Sequence, residues 1–223
     1  MRSRLSLLLA IMLSIVAVDG QFGRLSFNNV IAQTKIVSSR VAPVIKANTL
    51  DGKEVSISYG TDRKHTVLYV FSPSCSWCRR NWDNAKTLAK DASKTSRFFG
   101  LALNANNLQE HINSNQVNFP VYKDLSSSAI SGLELGSAPQ TIVISPSGKV
   151  IKNWIGAYSG DIQREIEKFF GVKLPGVNVQ SQSDPQYCAY CIWNGLLNSP
   201  GAVVEVDGKK IRCKQNGRWT SPY

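Results

Sequence analysis

Histidine is scarce in this chain, with only His65 and His111 among 223 residues. One precedes a strand-like run and the other falls in a helical pattern. Neither has a cysteine at ligand spacing, so a copper carrier built on Cys/His ligands is excluded and each reads as a surface residue. Acidic residues are also few: 15 Asp and Glu stand against 26 Lys and Arg, a net charge of +11. That excess is spread along the whole chain, without a basic tract or interleaved aromatics, which argues against a nucleic-acid groove and for a diffusely positive surface. No phosphate-cradling glycine loop, internal repeat or low-complexity tract occurs. Long apolar runs are confined to the N-terminus, which excludes a polytopic membrane protein. The 43% hydrophobic content is still enough to bury a core, so the bulk of the chain is not intrinsically disordered.

The one long run is Leu5–Val18, preceded by Arg2 and Arg4 and followed by Asp19, Gly20 and Gln21. A basic start, an apolar stretch and small residues near a cut have the form of a secretory signal over residues 1–20. At ~1.5 Å per residue the run covers about 21 Å of a ~30 Å hydrocarbon layer, which is short for a permanent anchor. The expectation is export to the periplasm or cell envelope; left uncleaved, the run would be an N-terminal membrane anchor. In that compartment cysteines meet oxidants. The chain has five, an odd number, and each should belong to a bridge or to redox chemistry.

Residues 21–40 are polar and weakly periodic, and read as an N-terminal extension. From Val41 onward β-rich runs (VSIS, VLYVF, FFGLAL, QTIVI, KVIKNWIG) alternate with helical patterns near 76–90, 107–113, 128–133 and 161–170. Such alternation predicts an α/β domain over 41–175, its sheet parallel in part and covered on both faces. In the helix over 76–90, Cys78, Trp82, Ala85, Leu88 and Ala89 keep to one face, while Arg79, Arg80, Asp83, Lys86 and Lys90 take the other. In the last helix Ile162, Ile166, Phe169 and Phe170 form the stripe, with Ser159 or Asp161 to cap its start and Gly171 to stop it. Ser145-Pro146-Ser147-Gly148 predicts a turn between adjacent antiparallel strands. Residues 176–186 have linker composition. Beyond them, over 187–223, AVVEV and KKIRC flank the two-residue hairpin signal Asp207-Gly208, and Asn216-Gly217 turns the chain once more. This predicts a β-meander too small to be stable without a covalent staple.

The chemistry concentrates in Cys75-Ser76-Trp77-Cys78, at the end of VLYVF and the start of an amphipathic helix. There the unpaired N–H groups and the helix dipole favour an anion, so Cys75, at an exposed mouth, should be the nucleophile. Cys78, one turn inward, can reach it and resolve a mixed disulfide. Trp77 would flank the substrate. A structural disulfide within the pair is disfavoured by its tight ring, and a zinc site assembled from Cys75, Cys78, Cys188 and Cys191 by oxidation. A peroxidase run of the form Thr/Ser-Pro-x-x-Thr-x-x-Cys is not matched, because Ser72-Pro73-Ser74-Cys75 is too compressed. No cofactor or metal is expected. Farther on, Pro139 enters the strand QTIVI after Ala138. A cis bond there would expose the preceding backbone for pairing with an extended substrate.

As a set, VLYVFSPSCSWC, the proline of SAPQTIVISPSGKV and the ending WIGAYSGDIQREIEKFF resemble the thioredoxin fold over about 41–175. More narrowly, they resemble the exported TlpA-like and ResA-like thiol-disulfide oxidoreductases. The resemblance implies Cys75 as attacking thiolate, Cys78 as resolving thiol and Pro139 as a cis-proline facing them. It also implies protein disulfide substrates and a redox partner in a bacterial envelope. Two positions depart from it. Thioredoxins carry a buried acid six residues before the first cysteine, where this chain has Tyr69. Some exported relatives place a glutamate three residues after the second cysteine, where it has Asn81.

The stretch Cys191–Cys213 resembles a small domain of exported bacterial proteins with one cysteine at each end, which implies a Cys191–Cys213 bridge worth about 3 kcal/mol. Cys188 is then the odd thiol. It pairs with Cys213 instead, stays free, or joins Cys191 as a second CxxC that exchanges disulfides with Cys75, a relay. Two functions are consistent with these residues. One is an exported oxidoreductase acting on envelope disulfides. The other is a redox-inert thioredoxin-like binding module whose C-terminal domain docks a partner.

Overall fold

The computed structural model describes residues 40–60, 62–178, 186–194 and 196–220. The expected signal over 1–20, nearly all of the extension over 21–40 and most of the linker over 176–186 lie outside the described residues. In chain order, β1 (Ile45–Asn48) and β2 (Glu54–Ile57) form a hairpin, followed by β3 (His65–Phe71), α1 (Ser76–Asp91), β4 (Ser96–Ala102) and α2 (Leu108–Ser114). Then come β5 (Val121–Tyr122), α3 (Ser127–Gly132), β6 (Ser137–Ala138), β7 (Gln140–Ile144), β8 (Val150–Ile155) and α4 (Gly160–Phe170). The C-terminal segment adds β9 (Cys188–Ala189), β10 (Cys191–Trp193), β11 (Leu196–Asn198), β12 (Val203–Val206) and β13 (Lys209–Arg212).

Five strands form the central sheet in the order β5-β4-β3-β7-β8. β3, β4 and β5 run parallel, whereas β7 is antiparallel to both β3 and β8, so the sheet is mixed. Alternation along β3 divides the core. Val67, Tyr69 and Phe71 pack with Trp82 and Leu88 of α1 and Ile166 of α4. Leu68 and Val70 pack with Ala129 and Ile130 of α3 and with Ile45, Ala47 and Ile57 of the first hairpin. A strand covered on both faces reads as the unbroken apolar run VLYVF, because each side chain finds protein rather than water. This is the thioredoxin-like arrangement of a mixed sheet between helices.

Local chemistry accounts for most of the boundaries. Gly171 takes the left-handed conformation (φ 67°) that ends α4, and Ser126 accepts from the Ala129 N–H to start α3. The β7–β8 turn closes through Gly148 N–H donating to the Ser145 carbonyl at 2.9 Å. β1 was not legible in sequence, since IKAN offers only two apolar positions at alternate sites.

Two expectations are corrected. The buried face of α1 carries Asn81 and Asn84 as well as the apolar set, because their amides are satisfied inside the protein. The histidines are half-buried rather than superficial. His65 is the first residue of β3 and lies against Phe169, and His111 accepts a hydrogen bond from Trp82 Nε1 at 2.9 Å. Burial, then the nearby Arg79, lowers the His111 pKa below its ordinary value.

The C-terminal strands form two hairpins, β10–β11 and β12–β13, rather than one continuous sheet. Asp207 (φ 51°) and Gly208 (φ 73°) supply the two positive angles that a tight hairpin turn requires. Trp219 ties the hairpins together: its indole N–H donates to the Ile192 carbonyl and its ring meets Trp193 edge-on. A 2.05 Å bond between Cys191 and Cys213 supplies the staple. β9 leaves this unit and pairs with β6 of the thioredoxin-like body.

Candidate active site

Cys75 stands at the N-cap of α1 with extended backbone (φ −84°, ψ 118°), and its N–H donates to the Ser72 carbonyl. Its sulfur is bonded to Cys188, at 2.07 Å, across 113 residues of sequence. Cys75 is consequently 1% exposed, not the open mouth expected, because the C-terminal segment covers it. The described thiols leave one cysteine free. This is Cys78, wholly buried in the first turn of α1, and burial pushes its pKa up to about 12, with a Ser72 backbone hydrogen bond opposing the rise.

Across from the pair, the Ala138–Pro139 peptide is cis. Ala138 is buried, and its carbonyl oxygen lies 3.2 Å from Cys75 Sγ. The backbone of β6 is not idle: Ala138 faces Cys188 and Ser137 faces Ala189 in an antiparallel register. Next to it Tyr190 N–H donates to the Gly136 carbonyl, and Ala157 N–H donates to the Gln186 carbonyl, each at 2.9 Å. Residues 186–190 thus cross the face of the cysteine pair, with Cys188–Ala189 as the strand that pairs there. Trp77 is half-buried at the edge of the core, with the Arg80 guanidinium 4.8 Å above its ring.

Cys188 follows none of the three alternatives as stated, for it is not paired with Cys191 either. It is bonded to Cys75 itself while Cys191 is held by Cys213, so neither a Cys188–Cys213 bridge nor a free Cys188 is observed.

Apart from Tyr69 and Asn81, noted in the sequence only as departures from the acid positions, three groups of site residues were not singled out from sequence. Tyr190 is buried, and its hydroxyl lies toward the side chains of Ser72 and Ser74 immediately ahead of Cys75. Burial, as the largest influence, raises its pKa. Ser72 in turn accepts from Asn104 Nδ2 at 2.7 Å. Behind Cys78, Asn81 donates to the Tyr69 hydroxyl and accepts from Tyr158 N–H and from Asn84 Nδ2. Thr141 and Tyr158 share a 2.7 Å hydroxyl contact, and Asn84 accepts from Gly176 N–H. Burial raises the Tyr69 and Tyr158 pKa values well above the ordinary phenol range, so both hydroxyls are neutral. The usable signal was spacing: positions 81 and 84 fall on the same helical face as 78, 82, 85 and 88. Beside the Pro73-Ser74 turn an open polar cleft of about 490 Å³ is lined by Arg79, Glu110 and His111 among others.

A helix-capping cysteine, a buried second thiol one turn on and a cis-proline opposite define a thioredoxin-fold thiol-disulfide oxidoreductase. The chain belongs to the AhpC/TSA family, which matches residues 39–153. Nothing matches it among curated protein sequences. Among solved structures it is similar to a putative thiol:disulfide interchange protein DsbE from Chlorobium tepidum, with 18% identity, a TM-score of 0.51 and coverage of 60% of this chain and 97% of that one. It is also similar to the thioredoxin domain of a thiol-disulfide oxidoreductase from Bacteroides vulgatus (21% identity, TM-score 0.48, 60% and 99% covered). StoA from Bacillus subtilis is a third, with 18% identity, a TM-score of 0.46 and coverage of 57% and 97%. At 18% identity the Chlorobium tepidum likeness speaks for the fold alone. The family match ends before α4 and before the segment that carries Cys188.

Proposed function

We propose that the protein is an exported thiol-disulfide oxidoreductase that exchanges or reduces disulfides of cell-envelope proteins, with Cys75 attacking and Cys78 resolving. In this reading residues 1–20 direct export, residues 41–175 carry the redox chemistry, and residues 187–223 form a small stapled domain joined by the linker 176–186. The sequence pattern of residues 1–20 and the printed identities of the structural neighbours, a secreted Mycobacterium tuberculosis disulfide oxidoreductase among them, support the location.

The observation that carries the activity is the Cys75–Cys188 bond formed against the Ala138 backbone, because it has the connectivity of an enzyme caught on a substrate cysteine. In the forward direction the Cys75 thiolate attacks one sulfur of a substrate disulfide, and the other substrate sulfur departs as a thiolate and takes a proton. Cys78 then loses its proton and attacks Cys75 Sγ, expelling the first substrate sulfur. The substrate gains two electrons, a Cys75–Cys78 disulfide remains, and a dithiol partner in the envelope restores the reduced pair. Ala138 and Pro139 present the substrate strand, with Trp77 at its flank.

The test is a glutathione and insulin exchange assay on the reduced protein, together with a redox titration of the Cys75/Cys78 pair. Exchange that is lost in Cys75→Ser supports the reading. A potential typical of a structural bridge together with no exchange would instead mark a redox-inert module whose C-terminal domain docks a partner.

A further inference from the structure

We propose that residues 186–190 are a tethered substrate and that Cys188 is a third exchanging thiol, so that the active site is closed by its own chain and opened when Cys78 displaces Cys188 from Cys75. This rests on the oxidoreductase reading above and adds to it a self-substrate and the form of the external one.

Four independent contacts place this segment where a substrate would lie. Its sulfur is on Cys75. Its backbone pairs in register with Ser137 and Ala138, next to the cis peptide bond. The Gln186 carbonyl and Tyr190 N–H extend that pairing to Ala157 and Gly136 on either side. Finally, the Tyr190 side chain is buried in the core that contains Cys75 and Cys78, with its hydroxyl toward Ser72 and Ser74. A purely structural bridge requires only the sulfur bond. Backbone augmentation together with a side-chain anchor two residues beyond the cysteine is how an extended peptide is recognised.

The glycines fit the same purpose. A Cβ on Gly217 would come within 3.0 Å of Ala189 Cβ and 3.2 Å of the Tyr190 carbonyl, so the Asn216-Gly217 turn can back the segment only because Gly217 lacks one. Gly156, at φ 127°, takes a backbone conformation that other residues rarely adopt, with the Gln186 carbonyl 3.6 Å from where its Cβ would stand.

The opening step balances without an outside reagent. Cys78 gives up its proton and its thiolate attacks Cys75 Sγ; the Cys75–Cys188 bond breaks as Cys75–Cys78 forms; Cys188 leaves as a thiolate and accepts a proton. One disulfide is thus shared among three sulfurs at constant oxidation state. Cys191, locked to Cys213, takes no part and keeps the freed strand tethered close to the groove. External substrates that compete for the groove are extended polypeptides with a cysteine, a small residue and then a hydroxylated aromatic, the pattern of Cys188, Ala189 and Tyr190.

The experiment uses the full chain. Acid-quenched alkylation and disulfide mapping should recover a Cys75–Cys188 peptide with Cys78 unpaired, and Cys78→Ala should hold all of the protein in that form. Attack by the reduced QYCAY peptide on the one-disulfide protein, in which the peptide thiolate bonds to Cys75 Sγ and the cysteine it displaces leaves as a thiolate and takes a proton, should be roughly tenfold faster in Cys188→Ser, since the tethered competitor is then unable to bond. Tyr190→Phe, which keeps every cysteine, should lower the Cys75–Cys188 share and speed exchange. Cys75–Cys78 as the sole mapped bridge in wild type, or an unchanged exchange rate in both variants, overturns the inference and leaves the oxidoreductase reading standing. Absence of exchange in wild type and in Cys188→Ser alike overturns both.

Discussion

Asn81 donates through Nδ2 to the hydroxyl of Tyr69, 3.2 Å away, and thereby joins the two positions at which the thioredoxin resemblance calls for an acid. Neither can act as a carboxylate beside Cys78. The pair is instead part of a neutral buried network that also holds Tyr158 N–H through Asn81 Oδ1. Asn81→Leu strands that N–H in the core and should lower stability by about 1–3 kcal/mol in urea unfolding. Asn81→Asp supplies a proton acceptor one turn from Cys78 and should speed the resolving step at neutral pH by roughly tenfold or more, measured as release of a preloaded glutathione from Cys75.

The Cys78 thiol predicts a pH profile. Burial pushes it up to about 12, so the thiolate is the minor form at neutrality and its attack on Cys75 should accelerate about tenfold per pH unit between pH 6 and 9. A flat profile over that range would show that deprotonation does not limit the step. Stability has the opposite sign. The unfolded chain ionises this thiol near its ordinary value of 9.0 while the folded chain still holds the proton, so unfolding becomes easier as pH rises from there to about 12. Urea titrations should show that loss in wild type and not in Cys78→Ala.

Gly217 offers a way to disturb the covering strand without touching a cysteine. At φ 74°, and with Ala189 and Tyr190 against it, Gly217→Val both strains the turn and pushes on the segment. Hydrogen exchange over residues 186–190 should rise, and disulfide mapping should shift from Cys75–Cys188 toward Cys75–Cys78. Exchange as slow as in wild type would mean that the turn does not support the strand.

Loss of the staple should be local. Cys191→Ser together with Cys213→Ser opens a bridge that spans 22 residues and should cost about 3 kcal/mol within the two C-terminal hairpins. Limited proteolysis should then cut within 196–213, while the five-stranded sheet, whose core does not depend on that bridge, keeps its thermal midpoint within a few degrees.

The legible parts of this protein are those that a short stretch of chain specifies. VLYVF announces a strand covered on both faces, the spacing from Cys78 to Leu88 marks the buried side of α1, and Asp207-Gly208 places a hairpin turn. Cys75 at a helix start and Ala138-Pro139 at a strand start were visible as neighbours of regular elements, although their meeting was not. Asn84, Tyr158 and Thr141 were missed because each is satisfied by a partner on another element, and a single sequence shows no such partner. Cys75 was expected to be exposed because nothing within one turn of it could reveal a cover supplied 113 residues later.

Sequence by itself determined most elements of the thioredoxin-like body, the cysteine pair at a helix N-terminus and the need for a C-terminal staple, since these follow from periodicity, turn chemistry and the size of a core. Only the tertiary structure decided that Cys188 rather than Cys78 is the partner of Cys75. Disulfide choice depends on which sulfurs the folded backbone brings within bonding distance, and here the pairing of β9 with β6 does so.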